Sequence, residues 1–322
     1  MKRNYYIVGL IFLIFFVISF LTNILGPLIP DIIDSFNLSL TMAGFLPFAF
    51  FIAYGVMSIP AGILVERYRE KRILLLAFFL ASIAAIFFGL ISHFPVYLIS
   101  LFSIGLGMAM LQVAINPLLR VAGGEAHFAF NSVLAQLIFG LASFLSPQVY
   151  TYLVKTVPDE SKGGFVIAGL RKLVPEGLPW ISLYWVFALV TVIMVFIILA
   201  SKFPKVELKE EERVGAWSTT LSLFRNKIVI LYFFGIFAYV GSEQGVANWI
   251  SKFLSVYHGY DPQTTGADTV SYFWGLLTAG CLLGLLLLKL FDSRKVLVGF
   301  TAAAVVSLTA ALLGPGKAAL YA

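Results

Sequence analysis

Long apolar segments, separated by short polar or Pro- and Gly-containing stretches, dominate the chain. A helix needs about 20 apolar residues to cross a bilayer, and several of these segments reach that length. Spanning strands need only about 10 residues and alternate in polarity, so strands do not explain the runs. The pattern predicts an all-helical integral membrane protein. We expect its helices near residues 5–25, 43–65, 72–92, 95–119, 128–154, 180–200, 228–256, 269–290 and 296–313, and the start of a tenth at 318–322.

Composition agrees with this prediction. Hydrophobic residues make up 60% of the 322 residues and charged residues only 12%, whereas soluble domains carry about 25% charge. The net charge of +6 comes from residues dispersed over loops, without the basic stripe that nucleic-acid binding needs. A single cysteine, Cys281, excludes a disulfide framework. No cleavage site follows the first apolar run, so we interpret it as an uncleaved helix.

Basic residues alternate between loops and predict the orientation. Sixteen of the 22 Lys and Arg fall on one side, which the positive-inside rule makes cytoplasmic. The exception is the 155–179 loop, where acidic residues partly balance four basic ones. We therefore expect a multi-pass protein of the cytoplasmic (inner) membrane with a cytoplasmic N-terminus. The sixteen are Lys2, Arg3, Arg67, Arg69, Lys71, Arg72, Arg120, Lys202, Lys205, Lys209, Arg213, Arg225, Lys227, Lys289, Arg294 and Lys295.

The longest cytoplasmic stretch, residues 201–227, divides the chain. It predicts an N-terminal half of six helices (1–200), a linker (201–227) and a C-terminal half (228–322) of three helices and the start of a fourth. A weak repeat places Gly62 and Arg67 on Gly284 and Lys289. If each half has six helices, the second half lacks about two and a half of them, and we expect residues 1–322 alone not to catalyse transport.

Two amides interrupt the apolar stretch "MLQVAINPLL" (110–119). Gln112 and Asn116 are four residues apart and share a helix face. Amides in hydrocarbon are costly without a hydrogen-bonding partner, so either a neighbouring helix or a ligand satisfies this pair. Asn23 is the largest member of a small polar stripe in the first segment. Gln136 shares a face with Ser132 in the fifth segment.

The segment "GSEQGVANW" (241–249) concentrates polar side chains. Gln244 and Asn248 share a face beside Trp249, and Glu243 is interpreted as the one clear carboxylate well inside a spanning segment. Intramembrane acids are functional candidates by default, with a structural acid as the alternative. Trp249 and Trp274 have the ring area to stack on a sugar, although tryptophan is also frequent at membrane interfaces.

Two groups of motifs carry a resemblance. "GILVERYREKR" (62–72) resembles the turn motif Gly-x-x-x-Asp-Arg-x-Gly-x-Lys-Arg of the major facilitator superfamily, with Glu66 in place of Asp and Arg69 in place of Gly. "FFIAYGVMSIPAG", "LQVAINPLLR", "FNSVLAQLIFGLASFLSP" and "YVGSEQGVANWISKFL" resemble its fucose-permease-like sugar symporter branch, which includes glucose/galactose transporters. This resemblance implies the major facilitator fold and hexose transport by alternating access. Proton-coupled members carry acids where Asn23 and Gln112 stand here, so the usual proton route is in doubt.

These observations lead to one functional prediction. We expect a secondary transporter of a monosaccharide, glucose or a related hexose, facilitative or coupled to sodium or protons. A drug or lipid exporter of the same fold is the alternative, and a membrane enzyme is disfavoured because no catalytic constellation is present. We expect a monomer in lipid, with no cofactor and no metal site. The candidate sugar contacts are Asn23, Gln112, Asn116, Gln136, Gln244, Asn248, Trp249 and Trp274, with Glu243 for ion coupling and Gly62, Glu66 and Arg67 for conformational gating.

Overall fold

The computed structural model describes residues 4–204, 225–316 and 320, and within them it contains helices and no strand. Nine segments of this described part are long and apolar enough to cross a membrane. The helices are α1 (Tyr5–Thr22), α2 (Leu25–Phe36), α3 (Leu40–Tyr68), α4 (Glu70–Leu90), α5 (Phe94–Gly123), α6 (Phe128–Thr156), α7 (Phe165–Leu173), α8 (Ser182–Ala200), α9 (Lys227–His258), α10 (Ala267–Leu290) and α11 (Ser293–Leu313).

The first predicted segment ends too early. It was expected at residues 5–25, but α1 breaks at Asn23 and α2 continues the same span to Phe36. The prediction failed because α2 contains Pro27, Pro30 and two aspartates, residues that ordinarily mark a loop. Similarly, α5 runs through Pro117 to Gly123 and past the expected end at residue 119.

The 155–179 loop contains a helix that the hydrophobic pattern did not predict. α7 is only nine residues long, too short to register as a spanning segment. Its Arg171 guanidinium donates to the backbone carbonyls of Val157 and Asp159, at 2.8 and 2.7 Å, and so ties the loop together. The expected tenth segment lies almost wholly outside the described residues, as do Lys2, Arg3, Lys205, Lys209, Arg213 and most of the predicted linker.

Hydrogen bonds join the ends of α1, α4, α5 and α8 on one side of the bundle. The amide of Asn4 donates to the carbonyl of Ala122 at 3.0 Å, Tyr6 Oη lies 2.8 Å from Ser201 Oγ, and Lys71 Nζ donates to the Ser201 carbonyl at 2.8 Å. We call this the basic end of the bundle, since the Arg67–Arg72 turn lies there. The opposite set of helix ends, which holds the C-terminal part of α2, is called the Asp31 end.

The two parts of the bundle differ in how closely they are packed. Helices α1 to α8 enclose an aliphatic core in which the rings of Phe88, Tyr97 and Tyr184 stack. α9 lies against α2, where Gly26 meets the α9 backbone, and α10 lies against α6, where Gly140 meets the side chain of Thr278. α11 contacts α10, and none of its described residues is buried. Much of the second part is therefore exposed along its length.

Candidate functional site

The two amides of α5 are oriented by different partners. Oε1 of half-buried Gln112 accepts a hydrogen bond from the hydroxyl of Tyr54 on α3. Exposed Asn116 bonds within its own helix, donating from Nδ2 to the carbonyl of Gln112 at 3.2 Å. Part of the amide chemistry is thus satisfied between helices, as the packing alternative predicted. Nε2 of Gln112 and Oδ1 of Asn116 have no hydrogen bond within the described part of the chain.

Asn23 lies at the break between α1 and α2 and is only 6% exposed. Its Nδ2 donates to Ser143 Oγ on α6 at 2.8 Å, and Ser143 Oγ lies 2.6 Å from Ser19 Oγ. This arrangement joins the break in the first span to α6. Asn23 therefore has a structural role through Nδ2, and its Oδ1 is the group left for a ligand.

The polar residues of α9 form a short chain of hydrogen bonds. Gln244 Nε2 donates to Glu243 Oε1 at 3.2 Å, and Asn248 Nδ2 donates to the carbonyl of Gln244 at 2.7 Å. Gly26 of α2 lies against the backbone of Ala247 and Asn248, where a side chain at residue 26 would collide with the Ala247 carbonyl. This close approach brings Asn248 within one helical turn of the α1/α2 break that holds Asn23.

The remaining predicted sugar contacts are not joined to these groups. Trp274 is buried at 4% exposure against Ala247 and Val270, and its indole Nε1 has no hydrogen-bond partner among the described residues. Trp249 is half-buried and packs against the main core. Gln136 is exposed on α6, one helical turn from Gly140, with no described hydrogen bond. Burial of Trp274 favours a packing role over stacking on a ligand.

The predicted gating residues lie at the basic end. Gly62 is half-buried in α3, whereas Glu66 and Arg67 are exposed. The Arg67 guanidinium carbon lies 5.4 Å from the centroid of the neighbouring Tyr68 ring. The described contact of Arg67 is therefore within its own helix rather than with α9 or α10.

A buried acid that we did not predict lies at the opposite end. Asp31 of α2 is 9% exposed, so Glu243 is not the one carboxylate inside a spanning segment and that expectation was wrong. Asp31 Oδ2 accepts from the hydroxyl of Tyr150, and Oδ1 accepts from Gln263 Nε2 at 2.9 Å. An aspartate within the apolar run of residues 24–33 was the available signal, missed because the first segment was ended at residue 25.

Further bonds join the same two parts of the bundle at the Asp31 end. Thr151 Oγ1 donates to the carbonyl of Gln263 at 2.9 Å, and Lys252 Nζ lies 3.2 Å from Asp34 Oδ1. Gln148 Nε2 donates to Asp268 Oδ1 at 3.0 Å. We call all these bonds, with Asp31 and Tyr150, the Asp31 network. It is built from short-range polar contacts that a separation of a few ångströms would break.

At the basic end, α9 and α10 are mostly exposed. Residues 227–242 of α9 are almost all exposed, as is most of α10 beyond residue 281. Among the described residues, every side-chain hydrogen bond that joins α1–α8 to α9–α11 lies at the Asp31 end or beside it. Within the described residues, side-chain hydrogen bonds therefore join the two parts at the Asp31 end, whereas α9 and α10 are mostly exposed at the basic end.

Comparison with known sequences gives one family and several named relatives. The sequence model of the Major Facilitator Superfamily matches residues 11–322. The "Glucose/galactose transporter" of Brucella abortus is 29% identical over 313 residues, covering 94% of this chain and 72% of that protein. The "L-fucose-proton symporter" of Escherichia coli is 24% identical over 319 residues, covering 93% of this chain and 71% of the relative.

Solved structures show the same fold. A crystal structure of the Escherichia coli fucose:proton symporter superposes with a TM-score of 0.66 at 23% identity, over 99% of this chain and 80% of that one. A bacterial homologue of the human lysosomal transporter Spinster, in an inward-facing and occupied conformation, gives a TM-score of 0.74 at 20% identity, over all of this chain and 70% of that one. The predicted all-α major facilitator fold is confirmed.

Proposed function

Because this chain belongs to the major facilitator superfamily, we propose that it is a secondary transporter that carries a monosaccharide, glucose or a related hexose, by alternating access. The observation that carries the proposal is an alignment with a glucose/galactose transporter of Brucella abortus over 94% of the chain. That relative gives the substrate class. The amides of α1, α5 and α9 give the chemistry with which this chain would recognise it.

Amides suit a hexose because each offers both a donor and an acceptor to a hydroxyl group. Asn23, Gln112, Asn116 and Asn248 each have one half of the amide bonded within the protein, which fixes the group and leaves the other half for a ligand. Fixed polar groups lose less conformational entropy on binding than free side chains do. A site that these amides form between the two parts of the bundle agrees with the usual place of transporter sites, near the middle of the bilayer and between the halves.

Contact at the Asp31 end and exposure at the basic end support one state of an alternating-access cycle. The positive-inside rule places the basic end in the cytoplasm. We therefore propose that the protein lies in the cytoplasmic membrane with its N-terminus inside, and that the basic end is the end that opens, toward the cytoplasm. Exposed apolar side chains on α11 would face lipid. We also propose that the protein acts as a monomer, because one copy of the chain contains both parts that would move.

Energy coupling belongs to the same proposal. Asn23 and Gln112 cannot exchange a proton at physiological pH. We rank facilitated diffusion first, sodium coupling second and proton coupling third. Glu243, bonded to Gln244, supplies an oxygen suited to a sodium ion. Asp31 adds a buried carboxylate to the proton route, beside half-buried Glu243, since its partners come from both parts of the bundle.

The experiment is equilibrium binding to the purified protein. Labelled glucose should bind and be displaced by galactose, and an amphipathic dye should not compete. The Gln112→Ala variant should bind glucose more weakly. The matched control is Ser103→Ala, on the same helix, whose hydroxyl bonds to the carbonyl of Ile99. Saturable binding of the dye without binding of any hexose would contradict the proposal and favour the exporter.

A further inference from the structure

The contact between α3 and α5 points to a residue that the family motifs do not mark. Resting on the proposed function, we infer that Tyr54 is a positioning residue of the sugar site, which fixes the Gln112 amide so that its nitrogen faces the ligand. The hydroxyl of Tyr54 lies against Oε1 of Gln112. The carboxamide group is planar, so an engaged oxygen leaves Nε2 on the opposite side, available as a donor.

The position of Tyr54 is itself fixed by packing. Gly105 of α5 lies against the carbonyl of Phe50 and the Cβ of Ala53 on α3, where a side chain at residue 105 would collide, so the two helices are closely packed. The Tyr54 ring packs at a tilt on Phe50, with ring centroids 6.3 Å apart. These contacts leave the Tyr54 hydroxyl little freedom. The hydrogen bond from Tyr54 to Gln112 is therefore held in place by the packing of α3 on α5.

Asn116 is oriented in the opposite sense on the same face. Its Nδ2 bonds to the backbone carbonyl of Gln112, which can only accept, so the amide nitrogen must point there and Oδ1 must point outward. One helical turn therefore presents a donor at Gln112 and an acceptor at Asn116. A pair of neighbouring sugar hydroxyls is complementary to this pair, with one oxygen accepting from Gln112 and one hydrogen donated to Asn116.

This orientation has a consequence for specificity. Since Gln112 Nε2 is a donor, the sugar needs an acceptor atom at the position that contacts Gln112. A deoxyfluoro sugar keeps an acceptor, although a weak one, whereas a deoxy sugar has none. Without the Tyr54 hydroxyl the amide can rotate and present either end. The discrimination between the two analogues should then be smaller, because part of the affinity for the fluorine is lost in ordering the amide.

The test is a double-mutant cycle of glucose binding to the purified protein, with Tyr54→Phe, Gln112→Ala and the double variant. We expect Tyr54→Phe to weaken binding about tenfold in the wild-type protein and less than twofold in the Gln112→Ala background. The control is Tyr6→Phe, which removes a hydroxyl hydrogen bond at the basic end and should leave affinity unchanged. Thermal unfolding of each variant checks that the fold is intact.

A second readout uses the analogues. Wild-type protein should bind one deoxyfluoroglucose several-fold more tightly than the matching deoxyglucose, and this preference should be smaller in Tyr54→Phe. Equal weakening by Tyr54→Phe in both backgrounds, or an unchanged analogue ratio, would overturn the inference while leaving the proposed function intact. Failure of the wild-type protein to bind any hexose would overturn the proposed function and this inference with it.

Discussion

Removing one bond of the Asp31 network should open the end that it closes. In Gln263→Ala, Asp31 keeps its bond from Tyr150 but loses the 2.9 Å bond from Gln263 Nε2, which joins the two parts of the bundle. A hydrogen bond to a charged group contributes about 1.5–3 kcal/mol. If the bond forms only when this end is closed, the substitution removes its full free energy from the closed state and none from the open state. The ratio of closed to open molecules should then fall about 10- to 150-fold.

The assay is the distance between two spin labels, one on each part of the bundle. Exposed Leu40 and Tyr257 flank the Asp31 end, and each is changed to cysteine in a Cys281→Ser background. We expect the distance distribution to shift to longer values in Gln263→Ala. The control is Thr264→Ala, because the hydroxyl of that neighbour bonds to Asp261 within the same loop and crosses no boundary.

An unchanged distance distribution in a folded Gln263→Ala variant would refute this reasoning. It would mean that the network contributes equally to both states, or that apolar packing of α2 on α9 alone holds this end closed. A shift of equal size in Thr264→Ala would also refute it, by showing that the loop at residues 261–266 responds to any change.

Three further predictions concern binding, packing and coupling. Gln112→Ala should raise the dissociation constant for glucose by about 5- to 150-fold, from the 1–3 kcal/mol lost when a buried partner is left unpaired, and a normal isotherm would assign Gln112 to packing. Gly140→Leu should overpack α6 against Thr278 and lower the free energy of unfolding by about 1–3 kcal/mol, seen as a lower thermal midpoint, whereas Gly9→Leu, where a Cβ meets nothing within 4 Å, should not. In proteoliposomes, neither a pH gradient nor a sodium gradient should drive glucose accumulation. Accumulation under a sodium gradient that Glu243→Gln abolishes would establish sodium coupling, and accumulation under a pH gradient that survives Glu243→Gln would direct attention to Asp31.

The sequence predicted the spanning helices because apolar length alone decides them. Each of the nine expected segments corresponds to a helix, with ends that differ by a few residues except in the first, whose span continues to Phe36. α2 was not predicted because prolines and aspartates are turn residues in water. In a spanning segment they are tolerated where neighbouring groups satisfy them, as Tyr150 and Gln263 satisfy Asp31.

The hydrogen-bond partners of the polar side chains could not be predicted from the sequence. The spacing of Gln112 and Asn116 predicted a shared face, but not that Tyr54 occupies one amide and a backbone carbonyl the other. Asn23 was predicted as polar and central, whereas its bond to Ser143 depends on how α1 packs on α6. Pairings between residues more than 100 positions apart follow from helix packing, which no local pattern encodes.

Equilibrium binding of labelled glucose to the purified protein tests the central claim most directly, because a sugar transporter must recognise its sugar at equilibrium before it can move it. The protein should bind labelled glucose saturably, galactose should displace the label, and an unrelated polyol at the same concentration should not. Saturable binding that only the hexoses displace is the result we predict. Absence of saturable binding of any hexose to the folded protein would contradict the assignment of this chain as a hexose transporter.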